Sequence, residues 1–133
     1  MDEMNGSPAA EGSALPDGRA LDADAQAREQ EYNKALFEGM RALGEEEWER
    51  AVRCFERAKG FRSGPSAAED LRTTAERVRA RVREDEWAIE GAFTAGRRLT
   101  ALRRARELDR YLTGLRSRMR FIRWKPPRPV FKW

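Results

Sequence analysis

Three sets of residues in this chain have side chains that could do chemistry: the carboxylates Glu45, Glu46, Glu47 and Glu49, the carboxylates Glu84, Asp85 and Glu86, and the single cysteine, Cys54. Paired carboxylates can act as general acid and base or hold a hard cation, and a thiol can act as a nucleophile when a base stands beside it. None of these chemistries finds its usual complement. The 133 residues include no histidine, which removes the commonest general base and the usual neutral metal ligand. Cys54 has no second cysteine for a disulfide or a thiolate metal site, and it reads as a small residue beside Phe55 in or near the core. Both carboxylate clusters fall where helix starts are expected, and there the helix dipole favours negative charge without any metal or substrate. No glycine-rich loop follows a strand, so neither common phosphate cradle is present. The expectation is a non-enzyme that needs no cofactor and no metal.

The elements that would carry these residues are helices. Residues 1–23 are rich in Gly, Ser, Pro, Ala and Asp and hold few large apolar groups, which predicts a disordered acidic leader. From there Tyr32, Leu36, Gly39, Met40 and Leu43 recur on one side of a helix, with Gly44 placed as a left-handed cap. Trp48, Ala51, Val52, Phe55 and Ala58 form the apolar face of a second helix that ends at Gly60, and the short connection makes the two an antiparallel hairpin. Ser66 and Glu69 have the spacing of a capping box at the start of a third helix carrying Leu71, Ala75, Val78 and Val82. Breaks are expected near Arg83 to Asp85 and near Gly96. The stripe Trp87, Gly91, Ala95, Leu99 and Leu102, then Ala105, Leu108, Leu112, Leu115 and Met119, continues the helical pattern. The only alternating stretch is the short "RFIRWK".

Charge is distributed unevenly along this framework. Residues 1–31 have a net charge of −6, residues 32–91 of −1 and residues 92–133 of +11, behind a total of +4. The chain lacks a signal-peptide pattern and a span of transmembrane length, and one cysteine suits a reducing compartment. A soluble, cytoplasmic protein is expected.

In "ALFEGMRALGEEEWERAVRCFERA" a small residue, Gly39, allows close helix crossing, an aromatic, Trp48, opens the next helix, and Ala51, Phe55 and Ala58 follow at four and three. This stretch, about residues 32–60, resembles the tetratricopeptide repeat family. A second, degenerate unit would place Gly96, Ala101, Ala105 and Leu108 at the matching positions, with Arg98 where the aromatic belongs, and Ala101 lies 50 residues after Ala51 rather than about 34. The resemblance implies an all-α fold of antiparallel hairpins over residues 24–120, a short α-solenoid or a bundle. It also implies a protein-binding groove, lined on the first helix by Asn33, Leu36, Phe37 and Met40. Leu36 and Met40 do not suit the carboxylate clamp of some family members. So few repeats imply a capping helix, self-association or a permanent partner.

The remaining candidates lie near the C-terminus. Arg103, Arg106 and Arg110 form a ridge pointing away from the apolar stripe, and Arg123 extends the positive charge. Residues 121–133 read as an extended basic-aromatic arm, stiffened by Pro126, Pro127 and Pro129. Trp124, Phe131 and Trp133 are its anchors. The arm could dock on a partner or a neighbouring subunit, fold back over its own helices, or serve as a ligand for Src-homology-3 domains. The expected role is an adaptor or assembly subunit that binds another protein through groove and arm, with self-association open. The alternative is nucleic-acid association through the arginines and aromatics; a membrane role fits poorly.

Overall fold

A computed structural model describes the backbone of residues 6–127 and the side chains of residues 22–127. The protein is all-α, with α1 at Gly6–Gly44, α2 at Trp48–Lys59, α3 at Ala67–Thr94 and α4 at Arg98–Arg118. Among the described residues there is no strand, and no helix is long and apolar enough to cross a membrane. The helical backbone starts at Gly6, ahead of the point where composition placed the first helix. Side chains of residues 22–31 are all exposed, and among the described side chains the first to enter the core is Tyr32.

Consecutive helices pack against one another, α1 on α2, α2 on α3 and α3 on α4. The α1–α2 crossing is close because Gly39 has no side chain: a Cβ there would lie 2.5 Å from Phe55 Cε1, and Phe55 is fully buried. Phe55 joins Leu43, Val52, Leu71, Val78, Val82 and Leu115 in the main core.

The two hairpins turn in the same way. After α1, the Glu46 amide donates to Leu43 O at 3.0 Å and the Glu47 amide to Ala42 O at 2.9 Å; after α3, Gly96 donates to Phe93 O at 3.0 Å and Arg97 to Ala92 O at 2.8 Å. Both are Schellman-type closures, and the left-handed residues are Glu46 at φ 63° and Gly96 at φ 79°. Each bond of the second turn therefore lies fifty residues after its counterpart in the first, the interval that separates Ala51 from Ala101.

Several expectations are corrected here. The left-handed cap after α1 is Glu46, not Gly44. The capping box does not form: Ser66 caps α3 without a side-chain bond, and Glu69 faces Lys59 Nζ at 3.9 Å instead. No break occurs near Arg83 to Asp85, since α3 runs unbroken through that stretch to Thr94. Its core stripe continues from Val82 through Asp85 towards Ile89 and Ala92, so Trp87 faces outward, 79% exposed; Leu99, in the first turn of α4, is 82% exposed.

After α4 the chain turns back. Met119 and Ile122 enter the main core, and the Lys125 amide donates to Gly44 O at 2.8 Å, tying the segment to the end of α1. Arg116 forms an ion pair with Glu46, which fastens α4 to the α1–α2 turn and offsets part of the cost of a left-handed non-glycine residue. "RFIRWK" is thus an irregular crossing segment in which Ile122 and Trp124 turn inward and Phe121 and Arg123 outward.

Candidate functional site

The segment after α4 and one flank of α1 together make an open surface with exposed apolar side chains. On α1, Asn33, Phe37, Met40 and Gly44 follow at four, three and four residues, which aligns them beside the core stripe rather than within it. Leu36 and Met40 are half-buried against the main core, Asn33 is exposed, and Phe37 is 62% exposed. Across from them stands Phe121, also 62% exposed.

Two clefts meet at this point. One, of about 450 Å³, lies between Leu36 and Met40 of α1 and Ala67, Leu71 and Thr74 of α3, with Met119 and Phe121 at its mouth. The Thr74 hydroxyl already donates to Asp70 O at 3.0 Å, so it offers the cleft no unspent donor. The other cleft, of about 780 Å³, runs between Phe37, Met40, Arg41 and Glu45 of α1 and the segment from Phe121 to Pro126. Met40 and Phe121 belong to both. Their shared side chains join the clefts into one surface, with a flexible thioether flanked by two exposed rings, a combination suited to adaptable apolar contact.

The expected site residues divide clearly. Asn33, Leu36, Phe37 and Met40 lie on the α1 side of these clefts or just beyond them, and Arg123 and Trp124 line the larger one. Trp124 is not a free anchor: it is half-buried, packs on the core, and its indole Nε1 donates to Met119 O at 2.9 Å. The arm therefore folds back over its own helices at least to Lys125. Phe131 and Trp133 lie outside the described residues. Arg103, Arg106 and Arg110 are exposed on α4, with Arg103 4.0 Å from Glu107, and none of them lines either cleft. Met119, Phe121, Ala67 and Leu71 complete the surface and were not among the expected site residues. Leu71 and Met119 were legible as members of apolar helix stripes, but nothing in the sequence marked them, Ala67 or Phe121 as parts of one surface.

The carboxylates are brought partly together, but in ion pairs. A third cleft of about 510 Å³ is lined by Glu46, Glu47, Glu49 and Glu86 with Trp48, Val82, Leu108 and Leu112. In it Glu47 meets Arg50 at 2.9 Å, Glu49 pairs with Arg83, and Glu46 with Arg116. The bond to Glu47 raises the Arg50 pKa above its ordinary value. Asp85 is buried in α3, where Arg81 Nε donates to it at 2.8 Å and Arg104 of α4 stands 3.9 Å away. The hydrogen bond to Asp85 likewise raises the Arg81 pKa. Arg81 also lies over the Tyr111 ring, 4.8 Å from its centroid, so Asp85 acts as a clamp between α3 and α4 and not as a helix-start charge. Among the described residues no group of three or more metal-ligating side chains converges, and Cys54 is buried. This chain matches no family model, no curated protein and no solved structure.

Proposed function

We propose that this chain is a non-catalytic adaptor or assembly subunit that holds another protein in the joined clefts between α1, α3 and the segment after α4. One observation carries the reading: Phe37 and Phe121 each remain 62% exposed on either side of Met40, beside clefts of about 780 and 450 Å³. Large rings left in water at the mouth of an apolar cleft favour a partner surface, because burying them supplies much of the energy of an interface. The tetratricopeptide-like packing of Gly39 against Phe55 supports a hairpin scaffold of the peptide-binding kind. A cytoplasmic setting accords with the lone free thiol at Cys54.

The test is affinity purification of the tagged full chain from its source cells at moderate salt, beside the double variant F37S/F121S. Serine at these two exposed positions leaves the core intact, which circular dichroism checks. A stoichiometric protein retained by the parent and lost by the variant is the expected result. Nuclease-sensitive nucleic acid retained equally by both would instead assign function to Arg103, Arg106 and Arg110.

A further inference from the structure

The charges around the joined clefts specify the partner further, an inference that rests on the docking reading above. The rim of the larger cleft holds Arg41, Glu45, Arg123 and Lys125. Arg41 and Glu45 answer each other at 3.8 Å. Among the described residues Arg123 and Lys125 are in no ion pair, and of the described cations without one they alone line the joined clefts. Two unmatched cations therefore stand at one end of an apolar surface, in a region where residues 92–133 hold 13 basic side chains and two acidic ones. At the other end, across Phe121, the smaller cleft is edged by Asp70. The surface is polar lengthwise, cationic where the chain crosses Gly44 and anionic beside α3.

We propose that the occupant is an apolar segment of another protein that carries carboxylates at the end meeting Arg123 and Lys125. Apolar side chains would bury Phe37, Met40 and Phe121, and the carboxylates would restore partners to cations that lose water when the cleft is covered. The lengthwise polarity fixes the direction in which the segment lies, since the reverse orientation sets its carboxylates against Asp70. The chain's own residues 128–133 include Arg128 and Lys132 and no acid, so they match this rim poorly.

A random-peptide library selected on the immobilised full chain tests the proposal. Enrichment of peptides combining Phe, Leu or Trp with Asp or Glu is expected, with binding weakened at least tenfold by F37S/F121S. The charge-reversed variant R123E/K125E should exchange the acidic preference for Lys and Arg while keeping the apolar one. Apolar peptides without acidic bias, or a bias unmoved by R123E/K125E, would overturn the proposal and leave the docking surface standing. Binders indifferent to F37S/F121S would overturn both. Two other outcomes also defeat it. Enrichment seen only in F131S/W133S gives the cleft to residues 128–133, and a dimer that F37S/F121S dissolves gives it to a second copy.

Discussion

Gly44 and Arg123 stand so close that a Cβ on residue 44 would overlap the Arg123 carbonyl oxygen, while two residues on the Lys125 amide bonds the Gly44 carbonyl at 2.8 Å. The glycine is needed for close approach and not for a left-handed conformation. This one crossing seats the segment after α4 against α1 and so makes the larger cleft.

Gly44→Ala should therefore destabilise the protein and loosen that segment. The obstructing atom belongs to the backbone and cannot rotate away, so overpacking of about 1–3 kcal/mol outweighs the helix preference of Ala over Gly. Gly91→Ala is the control: a Cβ there meets nothing within 4 Å, and the substitution should stabilise α3 by about 0.5–1 kcal/mol. Urea unfolding gives both values, and near-ultraviolet dichroism of Trp124 reports the loosening. Equal effects of the two substitutions would contradict the role assigned to Gly44.

The first hairpin was legible because its signals are local. Gly39 and Phe55, sixteen residues apart on adjoining helices, announce a close crossing by size alone. The turn of the second hairpin was legible at Gly96, but its likeness to the first was obscured because the fifty-residue counterparts invert the sizes, Ile89 standing where Gly39 does and Ala105 where Phe55 does. Asp85 hid the continuity of α3, since a carboxylate at a core position reads as a break until its arginine partners are known. The α1 half of the docking surface could be read from helical spacing. Met119 and Phe121 could not, because their place depends on the chain reversing after α4 to meet Gly44, a contact across some eighty residues with no local signature.

The Asp85 clamp makes a second prediction. Its side chain is 6% exposed, but Arg81 and Arg104 are 42% and 45% exposed and can return to water if the carboxylate is removed. Replacing a whole buried ion pair by apolar groups is often neutral or favourable, and removing one partner is costly mainly when it strands a buried charge, which these half-exposed arginines avoid. Asp85→Leu should leave the thermal midpoint unchanged or raise it, continuing the stripe from Val82 to Ile89. A fall of more than about 1 kcal/mol in stability, outside the near-neutral range for such a swap, would mean that the clamp contributes more than packing can replace.

The crossing of α1 and α2 yields the third. Gly39→Ala places a methyl within 2.5 Å of Phe55 Cε1, and with Phe55 fully buried the ring has no free direction in which to move. Overpacking should cost about 1–3 kcal/mol, more than the helix propensity of Ala returns. Phe55→Leu alone should also destabilise, through lost apolar area and a partial cavity. Combined in one chain, the smaller residue on α2 makes room for the methyl on α1. The double variant G39A/F55L should therefore be more stable than the sum of the two losses by about 0.5–3 kcal/mol, the range of coupling between residues in contact. Strict additivity in urea unfolding would show that Gly39 and Phe55 do not share the crossing. Because α1 holds Phe37 and Met40 on the same two turns as Gly39, the same variants should shift peptide binding at the cleft in proportion to how far α1 moves.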